Sequence, residues 1–251
     1  MALNKFRAQL VDVEGMLDLV ESITLGDPSL SYLRHRLDPS PLLAGAVVLL
    51  CARFEEFLKE IIAYALERHS LCDPPMTLWD LPENVQVHLI SKSLNAALQG
   101  IRHGEPRTPS QRITEGVEAA KHVVGGNIKA EHAIETGGNP GPKTVAELMK
   151  LVGVDNAWKR ITEHFDASYT APTLPTISTI AVGKLEDRLG QIMRLRNIVA
   201  HSGANIPSSP AEIRFNVAFL SQLSTSIYEV LKDHVQQYAR SLGRQPAAWQ
   251  P

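Results

Sequence analysis

Arg196 and His201 are the residues whose types and spacing best suit chemistry on a phosphate. They lie in the stretch MRLRNIVAHSG, residues 193–203, which ends in a glycine typical of a helix terminus. A histidine titrates near neutral pH and can serve as acid or base. An arginine stays charged and binds phosphate oxygens through two parallel hydrogen bonds. The pair therefore combines a proton carrier with a fixed cation.

Arg196 falls on the apolar side of its own helix. The apolar spacing predicts a helix over residues 179–202. Successive helical residues turn by about 100°, so Arg196 lies about 200° from Arg194. Four apolar residues occupy the sector between about 140° and 220° on the same scale, namely Leu185, Leu189, Ile192 and Val199. The arginine thus points towards the predicted core.

His201 falls on the opposite side, together with Arg194 and Asn197. These three lie within about 60° of each other, whereas Arg196 and His201 are about 140° apart. Arg196 and His201 can still converge in three ways. The helix can loosen near Ala200, the arginine side chain can curl round the helix end, or two copies of the chain can meet.

A guanidinium inside an apolar stripe needs a partner, because an unpaired buried charge costs several kcal/mol. The second long helix offers Glu55, about 80° from the centre of that helix's stripe, while Glu56 at about 180° faces solvent. We therefore expect an Arg196–Glu55 ion pair. The plainer interpretation is a structural pair alone, with His201 a helix-end residue favoured by the helix dipole.

The apolar spacing along the chain predicts an all-α fold. Long helices are expected over residues 4–25, 41–69 and 179–202, and a fourth begins at the capping box of Ser209 and Glu212. That helix should stop at Gly243, with a frayed tail to Pro251. Four long helices of this kind predict an antiparallel bundle.

Residues 70–178 read as an insertion between the second and third long helices of a single domain, 1–251. This stretch holds most of the glycine and proline. Short helices are predicted within it at 82–99, 110–123, 143–152 and 155–165.

Composition narrows the function classes. The formal net charge is −2 and the pI about 6.5, so any nucleic-acid site must be a local basic patch. Cys51 and Cys72 are expected to be reduced thiols. The most apolar run, residues 41–52, is too short to cross a bilayer, and no signal peptide is evident. We expect a cytoplasmic protein.

Three separate segments resemble the HEPN superfamily (higher eukaryotes and prokaryotes nucleotide-binding). RNIVAH, residues 196–201, resembles its R-x4-6-H motif. VVLLCARFEEFLKE, residues 47–60, is similar to the preceding helix of bacterial defence- and restriction-associated branches, where a Phe-Glu pair is followed by an aromatic residue and a lysine. Residues 137–158 resemble the insertion of the same branch.

The resemblance implies a helical-bundle endoribonuclease that needs no metal or other cofactor and acts as a homodimer, with RNA bound between the two motif helices. Arg196 and His201 would be the catalytic pair, Asn197 the polar residue beside the arginine, and Glu55 a group that orients or charge-balances them. Arg194 also meets the looser spacing, since six residues separate it from His201. The branch further implies a bacterial defence or toxin–antitoxin role and a neutralising antitoxin or defence-complex partner.

Two other functions stay open at this stage. The chain can be a HEPN-like interaction module of a restriction or defence complex without catalysis, which the slightly acidic balance favours. It can also bind nucleotides without cleaving them. A nuclease predicts toxicity that Arg196→Ala or His201→Ala relieves, whereas a scaffold tolerates both changes.

Overall fold

The fold is all-α. The computed structural model describes residues 2–25, 38–99, 101–102, 105–128, 140–165, 182–202 and 209–250, together with residues 134, 136 and 138. These residues form eight α-helices: α1 Ala2–Leu25, α2 Ser40–Ser70, α3 Glu83–Leu98, α4 Pro109–Val124, α5 Pro142–Leu151, α6 Ala157–His164, α7 Val182–Ser202 and α8 Pro210–Ser241. Besides the helices there is a single turn of 3-10 helix, Leu78–Asp80, and one antiparallel pair of two-residue strands, β1 Ile101–Arg102 and β2 Glu105–Pro106.

Helix α2 is the centre of the bundle. It packs against α1, α5, α7 and α8, which explains why its first half is apolar on every side. Phe54 and Phe57 of α2 meet Phe6 of α1 in a cluster with ring centroids 5.3 to 6.3 Å apart. All three rings are fully buried, so this cluster fixes the rotation of α2 beside Glu55.

The second half of the predicted insertion belongs to the core. Helices α5 and α6 bury their apolar faces, and α6 packs against both α7 and α8. The Trp158 indole N–H donates to the carbonyl of Pro142 at 3.1 Å, which ties α6 to the start of α5. Helix α7 therefore rests on α2 and on these two short helices.

The start of the last helix agrees with the sequence prediction, but the expected frayed tail is wrong. Ser209 and Glu212 form the reciprocal capping box of α8, and Gly243 follows the helix with φ +69°. Beyond it, the Trp249 ring lies 5.1 Å from Tyr64 and 6.0 Å from Tyr228. These aromatic contacts hold the tail against α2 and α8.

None of the described helices is both long and apolar enough to cross a bilayer. Cys51 and Cys72 are both buried, and no disulfide joins them. The apolar run at the start of α2 is therefore core, as the sequence predicts.

His69 makes stability depend on pH. The residue is buried at 1% exposure, and neither ring nitrogen has a hydrogen-bond partner within the described part of the chain. Burial, helped by nearby His234, lowers the pKa of His69 from 6.5 to about 4. The unfolded chain takes up this proton near pH 6.5 and the folded chain only near pH 4.

The free energy of unfolding should therefore be highest above about pH 6.5 and decrease towards pH 4. Protonation of His69 should account for a decrease on the order of 3 kcal/mol. We expect His69→Leu to flatten the fall in melting temperature between these two pH values. Thermal melts of both proteins across this range measure it, and parallel curves would contradict the assignment to His69.

Candidate functional site

Helix α7 runs without interruption through the motif to Ser202, so the helix does not loosen near Ala200. The predicted apolar stripe is buried as expected, at Leu185, Leu189, Ile192 and Val199. Arg196 lies at the edge of this stripe, partly buried. Its Nη1 donates to Oδ1 of Asn197 at 3.0 Å, so the neighbouring residue fixes the guanidinium.

His201 lies on the other side of α7 and is exposed. It shares this solvent face with Arg194 and Ile198, which are also exposed and fall at helical steps of three and four. Arg196 and His201 therefore occupy different sides of one regular helix. A single chain therefore presents the two motif residues on separate faces. Of the three ways in which they could converge, the continuous helix excludes loosening near Ala200.

The expected Arg196–Glu55 ion pair is wrong. Glu55 pairs instead with Lys59, one turn along α2, with 2.8 Å between Lys59 Nζ and Glu55 Oε1. The hydroxyl of buried Thr136 donates to the same Oε1. Two donors thus hold one carboxylate oxygen, while Asn197 rather than Glu55 receives the hydrogen bond of Arg196.

Arg196 nevertheless lies close enough to α2 to act on its charges. Burial acts to raise the pKa of Glu55, but hydrogen bonds from Lys59 and Thr136 and the charges of Lys59 and Arg196 lower it below its ordinary value. Burial raises the pKa of Cys51 to about 12, and the Arg196 charge opposes this rise. Cys51 and Glu55 are one turn apart, so the guanidinium lies alongside that turn of α2.

These groups form what we call the motif cluster: Glu55, Lys59, Thr136, Arg196 and Asn197. It sets two cations, Lys59 bonded to Glu55 and Arg196 nearby, against one carboxylate, which leaves a local positive charge on a chain whose formal net charge is −2. The Lys59 side chain is 46% exposed, so this charge is open to solvent. Such a cluster suits an anionic ligand such as a phosphodiester.

Sequence reasoning missed two members of the cluster, Lys59 and Thr136. Lys59 follows Glu55 by four residues, so helical spacing alone was a sufficient signal for that pair. Thr136 is 81 residues from Glu55, so neither periodicity nor spacing relates the two. Its hydrogen bond places Thr136, which lies between α4 and α5 in the sequence, beside the carboxylate of Glu55.

One family model matches the chain: RiboL-PSP-HEPN, over residues 18–233. The matched range is most of the 251 residues and contains the whole motif cluster together with His201. The chain belongs to the RiboL-PSP-HEPN family. No curated protein and no solved structure matches it.

Membership of this HEPN family agrees with the all-α fold and with the placement of the R-x4-6-H segment near the end of a long helix. It identifies the chain as an RNA-related module of a family associated with ribonucleases. Within this HEPN domain the arginine of the motif is set at the core edge and the histidine in solvent.

Proposed function

We propose that this HEPN protein is a metal-independent endoribonuclease that works as a homodimer. The observation that supports it best is the arrangement on α7. Asn197 fixes Arg196 beside the carboxylate of Glu55, while His201 stands exposed near the end of the same helix. A buried structural pair alone would not require an exposed histidine at the motif position.

RNA supplies its own nucleophile, the 2′-hydroxyl. Cleavage removes the proton from this hydroxyl, forms the bond from the 2′-oxygen to phosphorus and breaks the bond to the 5′-oxygen, which takes up a proton. His201 can carry out either proton transfer because an imidazole ring has one nitrogen that can accept a proton and one that can donate it. The products are a 2′,3′-cyclic phosphate and a 5′-hydroxyl.

Arg196 would stabilise the negative charge on the phosphorus oxygens during the reaction. Its guanidinium stays charged, and the hydrogen bond to Asn197 orients it before substrate arrives. Lys59 adds a second cation, which its ion pair with Glu55 holds in place. Arg194 is exposed on the His201 face, so it is the second candidate for the catalytic arginine.

Two copies of α7 facing each other would bring Arg196 of one chain towards His201 of the other. This arrangement resolves the separation of the two residues on one regular helix. A nuclease of this kind needs restraint in its own cell. We therefore place it in a bacterial defence or toxin–antitoxin system, with a neutralising antitoxin or defence-complex partner.

Dependence on the 2′-hydroxyl tests the proposal. We expect the purified protein to cut cellular RNA in the presence of EDTA, leaving ends with a 2′,3′-cyclic phosphate. An oligonucleotide spanning a mapped cut site should be cleaved as RNA and should stay intact when the nucleotide before the cut carries a 2′-O-methyl group. Cleavage of the methylated strand, or loss of cleavage in EDTA, would contradict this mechanism.

A protein that binds RNA or a partner protein, but cuts neither cellular RNA nor the oligonucleotide, would instead be the interaction module without catalysis. The separation of Arg196 and His201 within one chain favours that second candidate if no dimer forms. Measuring both cleavage and RNA binding on the same preparation distinguishes the two functions.

A further inference from the structure

A cavity of about 130 Å³ lies between α3 and α4, beside the 3-10 turn. Apolar residues of α3 and of the turn form its floor, and three of them, Leu78, Leu89 and Ala97, are only 2 to 3% exposed. An apolar cavity of about 150 Å³ holds one benzene molecule. The floor of this cavity therefore suits a single six-membered ring.

Helix α4 turns its polar side towards this cavity. Its apolar stripe, formed by Ile113, Val117 and Val124, is 49 to 80% exposed and lies about 160° from the side that faces the cavity. An amphipathic helix normally buries its apolar side, so α4 has the opposite orientation to the expected one. Glu115 and Glu118 line the cavity instead, so a polar wall faces the apolar floor.

Contacts just before α4 hold this orientation. Arg107 forms an ion pair with Glu115 and donates to the carbonyls of Ala96 and Gln99 at 3.1 and 3.2 Å, near the end of α3. Rotating the apolar stripe inwards would break the ion pair. The polar wall is therefore in place before any ligand enters, which lowers the cost of binding.

The two carboxylates lie at the outer edge of the cavity. The side chain of Glu115 is 42% exposed and that of Glu118 is 55% exposed, in contrast to the buried floor. Ser93 and Asn127 add neutral polar groups to the lining. The cavity thus has an apolar inner end and a negatively charged outer end, which suits a ligand with one apolar and one cationic end.

The cations that pair with these carboxylates lie outside the cavity. Arg107 pairs with Glu115, and Lys121 pairs with Glu118 at 2.7 Å, but neither cation lines the cavity. Lys121 is about 130° from the centre of the side of α4 that faces it. Arg112 is on that side, about one turn before Glu115, and is also outside the described lining. A bound molecule would thus contact the carboxylate oxygens directly and these cations only at longer range, where the interaction is weaker.

We propose that this cavity binds a small primary amine that carries one apolar ring. The ring would occupy the floor, away from water, and the ammonium group would donate to Glu115 and Glu118 at the outer edge. An ammonium group has three donors and no acceptor, which complements carboxylates that only accept. None of the described residues that line the cavity belongs to the motif cluster, so this site is additional to the proposed nuclease site.

Benzylamine is the probe, because it joins one ring to one ammonium group through a single carbon. Titration into isotope-labelled protein, followed by NMR of the backbone amides, should give saturable shifts around α3 and α4. Benzyl alcohol should bind about 10-fold more weakly, because hydrogen bonds from a charged donor contribute more. Benzoate should not bind, since it would place a third carboxylate beside the other two.

Two substitutions separate the floor from the wall. Ala97→Leu fills the floor and should abolish benzylamine binding. Glu118→Gln keeps the shape of the wall but removes one charge, so it should weaken binding about 10-fold. The matched control is Glu67→Gln, which changes a 59% exposed glutamate that also pairs with a neighbouring cation and should leave the affinity unchanged.

The spectrum of each variant also reports whether it is folded. If Ala97→Leu does not fold, Ala119→Leu takes its place, because Ala119 is half-buried and fills the cavity from the α4 side. Saturable benzylamine binding that a folded cavity-filling variant abolishes would support the proposal. Absence of saturable binding, equal affinity for benzyl alcohol or benzoate, or unchanged binding in that variant would overturn it.

Discussion

Arg196→Ala and His201→Ala should each lower the rate of RNA cleavage by about 100-fold or more. Removing His201 removes the group that transfers protons, and removing Arg196 removes the fixed cation that balances the developing charge. Both variants should fold, because His201 is exposed and Arg196 is only partly buried. Initial rates on one mapped RNA site, with circular dichroism of each variant, measure the effect.

Surface residues of the same types serve as controls. His88 is exposed on α3 and Arg240 is exposed in the last turn of α8, so His88→Ala and Arg240→Ala should cleave RNA like the unchanged protein. Arg194→Ala decides which arginine acts. If it loses activity while Arg196→Ala keeps it, the assignment of Arg196 is wrong and Arg194 takes its place.

Helical periodicity placed Arg196 correctly because a regular helix fixes the direction of each residue. The buried stripe from Leu185 to Val199 and the exposed His201 both follow from about 100° per residue. The same reasoning located the capping box at Ser209 and the stop at Gly243, since these depend on contacts within a few residues.

The partner of Glu55 could not be obtained in that way. Periodicity gives the side of α2 on which Glu55 lies, but the choice between Lys59 and Arg196 depends on the distance between two helices. Lys59 prevails because it lies one turn away on the same helix and needs no particular interhelical approach. The hydrogen bond from Thr136 joins residues 81 apart in the chain, and local sequence does not specify such a contact.

Helix α4 shows a different limit of sequence reasoning. Its apolar spacing predicts the helix correctly, but a stripe of this kind normally predicts the buried side. The ion pair of Arg107 with Glu115 holds the other side of α4 inwards. Arg107 also donates to the carbonyl of Gln99 at the end of α3, and the periodicity of a single helix predicts neither contact. The tail around Trp249 was missed for a related reason, because its aromatic partners are distant in the chain.

Combining the two inactive variants in one dimer should restore cleavage. Arg196→Ala chains retain His201, and His201→Ala chains retain Arg196. If each site takes its arginine from one chain and its histidine from the other, a mixed dimer keeps one complete site and loses both groups from the second. Mixed dimers isolated through two different affinity tags should therefore reach about half the activity of the unchanged protein.

The argument for this restoration rests on the geometry of α7. The helix is regular to Ser202, with Arg196 at the core edge and His201 in solvent about 140° away, so one chain does not bring the two together by helix distortion. Pairing His201→Ala with a chain that carries both substitutions controls for dimer formation itself, because no complete site remains in that dimer. If the first mixed dimer is as inactive as this control, the arginine and histidine do not act across the two chains, and the shared-site proposal fails.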